Sequence, residues 1–232
     1  MYDVYAERSP NVYKVTICLA ELGEAWRDVW VDVARGAQHA PEFHSLCLNG
    51  RVPVLVDHAP ADGGEPQVVW ESGSILVYLA EKTGRFLPPP GRARTEALTW
   101  VFWQMAGLGP MCGQSAHFLQ YDPPNSDYAK QRYHTEVERL YRVLDQQLQG
   151  RDWIAGDYSI ADMICFPWVR MAKPLMHDIS GLTNLMAWRD RMAARPAVAE
   201  SYRRMELLPK SEATKAERFA AMSPASGLAA VK

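Results

Sequence analysis

The stretch RVPVLVDHAPADGGEPQVVWESGSILVYLAEKTG (residues 51–84) holds two strand patterns, a turn and a helix pattern in direct succession. The Val-rich runs at residues 52–57 and 67–70 flank turn-forming residues, which favours an antiparallel hairpin. Apolar residues then recur at three- and four-residue steps up to Gly84, a residue suited to end a helix. The stretch therefore predicts a hairpin that leads into a helix over residues 71–84.

The residues that precede this stretch predict two further strands and two helices. In residues 26–33, Val alternates with Asp and Trp, which is the period of a half-buried strand. Two strands joined by a helix are usually parallel, so the order β-α-β-α-β-β-α predicts a small mixed sheet flanked by helices. The other elements are a strand at residues 2–6 and helices at residues 12–22 and 41–46.

A Pro-Pro-Pro-Gly run at residues 88–91 is a stiff break, and strand patterns fade beyond it. We therefore predict an α+β domain at residues 1–87, a linker at 88–91 and an all-α domain at 92–208. The tail at 209–232 is predicted to be either a surface helix or poorly ordered. Helical patterns in the second domain cover residues 94–118, 126–149, 159–171 and 183–195.

Two local signals stand out in the helical domain. Ser159 and Asp162 fit the S-x-x-[DE] capping pattern, in which both side chains satisfy backbone N–H groups at a helix start. Gly107, Gly109 and Pro110 interrupt an aromatic and Met-rich stretch and predict a bend in its helix.

The composition is that of a soluble globular protein, with 232 residues, 48% hydrophobic content and 22% charge. The net charge of −2 argues against nucleic-acid or anionic-membrane partners. No run of 18 apolar residues and no signal-peptide pattern occurs, so we expect a cytoplasmic protein. The four cysteines form no CxxC pair, and neither His39 nor His117 forms a metal-binding motif with residues at metal-ligand spacing. We predict no metal site, and thiol chemistry would need an external thiol.

The helix start at Glu71 and Ser72 has two interpretations. Backbone N–H groups at a helix start are unpaired and partly positive, so Ser72 could simply cap the helix. The same groups could bind the carboxylate of a ligand.

Three short motifs together resemble those of the soluble glutathione transferase superfamily. Arg51-Val52-Pro53 resembles its residue-plus-cis-proline element, Glu71-Ser72 its γ-glutamyl clamp, and IAGDYSIAD at residues 154–162 its second-domain folding box. The resemblance extends to about residue 208. It implies a thioredoxin-like first domain, an all-helical second domain, glutathione as cosubstrate and a homodimer.

Five longer stretches resemble the nu class of that family, which includes bacterial glutathione-dependent disulfide-bond oxidoreductases and resembles a fungal nitrogen regulator. Two residues depart from the class pattern, which usually has Thr at the position of Ser9 and Gly at that of Val12. The hydroxyl is retained, and the larger side chain of Val12 is expected to narrow the site. The stretches are SPN (9–11), RGAQHAPEF (35–43), DHAPADGGEP (57–66), FWQMAGLGPMCGQ (102–114) and YAKQRY (128–133).

The resemblance assigns the γ-glutamyl end and the backbone of the ligand. A cis bond before Pro53 would leave the backbone of Val52 free to pair with an extended tripeptide. Glu71 would pair with the α-ammonium group of the ligand as a buried charge, and Ser72 would meet its α-carboxylate.

The resemblance also assigns the thiol and the remaining contacts. Ser9 and Asn11 would stabilise the thiolate, with capping of the first helix as the alternative. Solvated side chains are the alternative for the other glutathione-binding candidates, which are Gln38, Arg51 and Arg132. In a conjugation reaction an electrophilic substrate would be held by residues such as Phe102, Met105, Met111 and Phe118, although an aromatic and Met-rich stretch of this kind is more often helical-bundle core than ligand pocket.

The implied reaction is disulfide reduction by two glutathione molecules, in which the bound thiolate attacks a small or mixed disulfide. One alternative is conjugation of the same thiolate to an electrophile. The other is a glutathione-binding regulator with little turnover, although the chain has no polar prion-like extension.

Overall fold

The computed structural model describes residues 1–222 and divides into two compact units. The first unit consists of Met1–Tyr78 and the described residues from Glu200 onward, and the second unit is Leu79–Ala199. Part of the predicted tail, residues 223–232, lies outside the described residues. Within the described chain, no helix is both long and apolar enough to cross a bilayer.

The first unit is built on a four-stranded mixed sheet with the order β2-β1-β3-β4. Strand β1 pairs in parallel with β2 and antiparallel with β3, and β3 pairs antiparallel with β4. The predicted parallel first pair and the C-terminal hairpin are therefore confirmed. The strands are β1 (Tyr2–Ala6), β2 (Trp26–Trp30), β3 (Val54–Asp57) and β4 (Gln67–Trp70).

Three helices cover this sheet: α1 (Pro10–Leu22), α2 (Pro41–Leu46) and α3 (Ser72–Thr83). The predicted apolar face of α1 is buried, and the helix ends at Gly23, whose φ of 74° is the left-handed conformation that glycine adopts readily. The second and third strands are shorter than predicted. The chain turns into 3₁₀ segments soon after β2, and Pro53, which has no N–H, precedes β3.

The second unit is helical, as predicted, but the helix predicted over residues 94–118 is interrupted. It comprises α4 (Arg92–Trp103), a π-helical segment (Gln104–Leu108) and α5 (Gly109–Tyr121). The N–H of Gly109 bonds to the carbonyl oxygen of Gln104, five residues back. Pro110 has no N–H to restore the regular pattern, so the interruption falls where the Gly and Pro residues predict one.

Three further helices complete the second unit: α6 (Asp127–Gln147), α7 (Ile160–Arg170) and α8 (Thr183–Ala193). Helix α7 is almost wholly buried and includes the large side chain of Phe166. The hydroxyl of Tyr141 on α6 donates to the carbonyl oxygen of Trp168, 3.0 Å away. Helix α7 is therefore the centre of the core of the second unit.

Two helices follow that the apolar pattern did not predict as separate elements. Pro196 begins α9 (Pro196–Glu206) as well as following α8, because Pro fits the first position of a helix. The described part of the tail contains α10 (Lys215–Ala221), whose start is capped reciprocally by Thr214 and Glu217. Of the two alternatives for the tail, the surface helix is present at α10.

Candidate functional site

The start of α1 is capped by Ser9. The backbone of Ser9 is extended, with φ −139° and ψ 143°, and its Oγ accepts a hydrogen bond from the N–H of Asn11 at 3.3 Å. The capping interpretation of Ser9 is therefore confirmed, and a role toward a thiol stays a prediction. The side chain of Val12, one turn into the helix, is fully buried.

The segment before β3 has the expected backbone. The Val52–Pro53 peptide bond is cis. Pairing within the sheet begins only at Val54, which lies opposite Tyr5 and Trp70. Within residues 1–222, the N–H and C=O of Val52 form no hydrogen bond with another backbone group. An extended peptide could therefore pair with Val52 without displacing a strand.

Glu71 and Ser72 form the start of α3 in an unusual arrangement. Glu71 has φ 72°, the left-handed conformation that a residue with a Cβ rarely adopts. Its side chain is at the surface and not buried as expected, and its Oε1 accepts a hydrogen bond from Nδ2 of Asn49 at 3.2 Å. Ser72 is buried. The Glu71 carboxylate is therefore held outside the helix while the Ser72 hydroxyl lies at its buried end.

Lys14 is a residue of this site that the sequence analysis did not single out. It lies on α1, its side chain is buried, and its Nζ donates to Oγ of Ser72 at 3.2 Å. A buried Lys is rare in proteins, and its contact with Ser72 joins residues 58 positions apart. No local sequence signal could have found this pair.

Gln38 is fully buried, so the alternative of a solvated loop residue is wrong. Its Nε2 lies 3.2 Å from Nε2 of His39, which in turn lies 3.3 Å from the carbonyl oxygen of Ala221 on α10. The Gln38 Oε1 is buried with no hydrogen-bond partner among residues 1–222. The predicted contact of Gln38 with the glycyl end of a ligand stays a prediction.

The two arginine candidates lie at the surface of different units. Arg51 in the first unit and Arg132 on α6 in the second are both exposed. Both exposures fit the alternative of a solvated side chain as well as a ligand contact.

The predicted substrate-pocket residues all belong to the second unit. Phe102 is 68% exposed on α4, and Met105, Met111 and Phe118 are partly exposed. The ring of Phe118 stacks on Tyr133, with ring centroids 5.6 Å apart and planes 16° apart. The unit thus has accessible apolar side chains of the kind that hold an apolar ligand.

Comparison with known proteins identifies both parts of the chain. The sequence profile of the glutathione S-transferase N-terminal domain matches residues 8–82, and that of the C-terminal domain matches residues 104–196. The chain belongs to the glutathione S-transferase family. The implied fold, an α+β thioredoxin-like domain followed by a helical domain, is thereby confirmed.

Among the relatives of this chain is the disulfide-bond oxidoreductase YfcG of Escherichia coli. The two are 43% identical over 208 residues, which cover 89% of this chain and 97% of the relative. A glutathione transferase from Pseudomonas putida, solved with one glutathione disulfide per subunit, has TM-score 0.83 and 34% identity, covering 90% of this chain and 92% of that one.

A second structure differs in its ligand. A glutathione transferase from Burkholderia graminis, solved with two glutathione molecules per subunit, has TM-score 0.81 and 38% identity, and covers 90% of this chain and 89% of that one.

The second unit also contains a polar cluster that was not expected from the sequence. Possible ligand atoms of His134, Glu138 and His177 lie within 4.8 Å of one another. The two imidazole rings stack, with centroids 4.3 Å apart and planes 19° apart, so their in-plane lone pairs run side by side and do not converge on one point. Burial lowers the pKa of His177 to about 4, which keeps that ring neutral at pH 7.

Proposed function

We propose that this protein is a glutathione-dependent disulfide-bond reductase. The observation that carries the proposal is the start of α3, where the surface carboxylate of Glu71 adjoins the buried hydroxyl of Ser72. This pair offers an anion for the α-ammonium group of glutathione and a helix start for its α-carboxylate. The unpaired backbone of Val52 offers hydrogen bonds to the cysteinyl part of the tripeptide.

The thiol of the bound glutathione would lie at the start of α1. A free thiol has a pKa of about 8.5, and lowering it by one unit requires about 1.4 kcal/mol of preference for the thiolate. Hydrogen bonds from the Ser9 hydroxyl and the Asn11 amide, together with the partial positive charge of the helix start, are sufficient for such a shift. Gln38, Arg51 and Arg132 are the further candidates for ligand contacts.

The reaction balances with glutathione as the only reductant. The bound thiolate attacks one sulfur of the substrate disulfide, so that a mixed disulfide forms and one substrate thiolate leaves. A second glutathione thiolate attacks the glutathione sulfur of the mixed disulfide, which releases glutathione disulfide and the second substrate thiol. All four cysteines are buried and form no disulfide, which fits a reaction that uses no dithiol of the protein.

Conjugation of glutathione to electrophiles is the second candidate activity. The exposed ring of Phe102 and the partly exposed Met105, Met111 and Phe118 favour it, because an apolar electrophile needs an apolar surface. Both reactions use the same thiolate, so one protein can catalyse both. By resemblance to its family we also propose that the protein is a cytoplasmic homodimer.

A third candidate is not an enzyme: the protein would bind glutathione as a regulator, with little turnover.

Two assays separate these functions. Purified protein is supplied with glutathione and either bis(2-hydroxyethyl) disulfide or a chloro-dinitroaromatic electrophile. Strong turnover of the disulfide with weak conjugation supports the reductase, and the reverse result supports the transferase. Tight glutathione binding without turnover of either compound supports the regulator.

The thiolate assignment is tested with Ser9→Ala and Asn11→Ala. Each variant removes one hydrogen bond to the thiolate, so we expect kcat for disulfide reduction to fall about 10-fold or more. Ser9→Thr retains the hydroxyl and should keep most of the activity. Ser45→Ala, at an exposed serine of α2, is the matched control. Full kcat in both alanine variants would show that the assignment is wrong. Because Ser9→Ala also removes the cap of α1, thermal unfolding of each variant is measured so that a loss of stability is not mistaken for a loss of catalysis.

A further inference from the structure

Lys14 joins the two helix starts of the candidate site. It is one turn inside α1, the helix that Ser9 caps, and its Nζ donates to Ser72, the first residue of α3. The side chain is 1% exposed, although moving an ammonium group out of water is costly unless polar partners receive it. A buried cation thus lies directly behind the hydroxyl that is assigned to a ligand carboxylate.

The direction of this hydrogen bond has a chemical consequence. The ammonium group of a lysine has donors and no acceptor, so the Ser72 oxygen accepts in this bond. The one proton of the hydroxyl therefore points away from Lys14. A hydroxyl that accepts from a cation is polarised and becomes a better donor to an anion.

We propose that Lys14 is a positioning residue for the γ-glutamyl end of glutathione, acting through the Ser72 hydroxyl on the α-carboxylate of the ligand. This inference rests on the proposed function, because it needs glutathione at the start of α3. Lys14 need not touch the ligand. Its charge compensates that of the carboxylate in a buried setting, where water screens the interaction less than at a surface.

A purely structural role for Lys14 makes a different prediction about ligands. If Lys14 only supports the packing of α1 against α3, its loss should weaken the binding of every ligand of the site by the same factor. If it acts on the α-carboxylate, its loss matters only for ligands that carry that group. The peptide 4-aminobutanoyl-cysteinyl-glycine keeps the amine, the thiol and the glycyl end of glutathione and lacks only the α-carboxylate.

The experiment measures Kd for glutathione and for this peptide by titration calorimetry, on the full chain and on Lys14→Met. We expect Lys14→Met to raise Kd for glutathione about 10- to 100-fold and Kd for the peptide less than about 3-fold. At saturating glutathione, kcat for disulfide reduction should change less than about 3-fold. Lys210→Met, at an exposed lysine of the same unit, is the control and should change neither Kd.

The proposal would be overturned if Lys14→Met raised Kd for glutathione and for the peptide without the α-carboxylate by the same factor, or raised neither. If Lys14→Met does not fold, Lys14→Gln and Lys14→Arg take its place: Gln should show the selective loss, and Arg should restore part of the preference for glutathione. Ser72→Ala provides an independent check, because it should reduce the effect of Lys14→Met to less than about 3-fold. Wild-type protein that binds neither peptide would instead contradict the proposed function itself.

Discussion

The starts of helices α7 and α3 use similar residues in opposite ways. At α7, the Oδ2 of Asp162 accepts from the N–H of Ser159 at 3.0 Å, and the Oδ1 accepts from the N–H of Ile154 and from Nε1 of Trp188 at 3.0 and 2.8 Å. The Ser159 side chain caps the helix in return. All of these groups are buried, so the chain closes this helix start by itself.

At α3, the acid precedes the serine and lies outside the helix. Glu71 adopts a left-handed backbone, its carboxylate is at the surface, and its partner is the side chain of Asn49. Ser72 receives a hydrogen bond from Lys14. The position of the acid relative to the serine thus separates a helix start that serves folding from one that meets a ligand in the proposed function.

The largest expected effect tests the closed helix start. Asp162→Ala removes the acceptor of three buried donors, namely two backbone N–H groups and the indole N–H of Trp188. Each buried donor left without an acceptor costs about 1–3 kcal/mol, and we expect a combined loss of about 3–5 kcal/mol in the free energy of unfolding. Urea unfolding followed by Trp fluorescence measures the loss.

Asp190→Ala on α8 is the matched control for this variant. Asp190 pairs with Arg189 at the surface, where such an ion pair contributes about 0–1 kcal/mol. An Asp162→Ala protein within about 1 kcal/mol of the wild type would contradict the view that this carboxylate holds the helix start together.

The next effect is the pH dependence of the same carboxyl group. Burial raises the pKa of Asp162 from 3.8 to about 6, and this outweighs the opposing effect of its hydrogen bonds from Ile154, Trp188 and Ser159. Between these two pH values the folded state binds more protons than the unfolded state. The contribution of Asp162 to stability is therefore fully present below about pH 4 and is lost as the pH rises through about 6.

The measurement compares the wild type with Asp162→Asn, which does not titrate, in urea unfolding from pH 4 to pH 7. The difference in unfolding free energy between the two proteins should shrink by about 2–3 kcal/mol as the pH rises across this window. Asp190→Asn should parallel the wild type throughout. A constant difference between wild type and Asp162→Asn would show that the carboxyl group is not perturbed.

The smallest effect on stability concerns the open helix start. Glycine adopts φ 72° without strain, so Glu71→Gly should raise the free energy of unfolding by about 1 kcal/mol. The same change removes the anion assigned to the α-ammonium group of glutathione, so Kd for glutathione should rise at least about 10-fold. A gain in stability together with a loss of binding would sharpen the contrast with α7.

Asn125→Gly is the control for Glu71→Gly. Asn125 also has a left-handed backbone, with φ 60°, and is not among the residues assigned to the ligand. It should leave the affinity for glutathione unchanged. If Glu71→Gly destabilises the protein and binds glutathione as tightly as the wild type, the left-handed backbone of Glu71 serves the fold and not the ligand.

Elements that depend on local patterns were predicted well from the sequence. Strands β1 and β4 and helix α2 have the predicted bounds, and the caps at Ser9 and Ser159 are where the residue types indicate them. The π-helical segment was not predicted, although the Gly and Pro residues predicted a bend in the helix there. Helix α9 was not predicted because Pro196 was interpreted only as the end of the preceding helix, whereas it is also the first residue of α9.

Local patterns in the sequence were enough to predict the strands, most of the helices and the capped helix starts, because periodicity, turn chemistry and capping act between residues close in the chain. The family was indicated by the resemblance of its motifs. Three features of the site could not be predicted from these patterns: Lys14 is buried against Ser72, Asn49 contacts Glu71, and Gln38 is enclosed. Those contacts depend on how helices and loops pack on the sheet, and packing brings together side chains whose separation along the chain follows no fixed period.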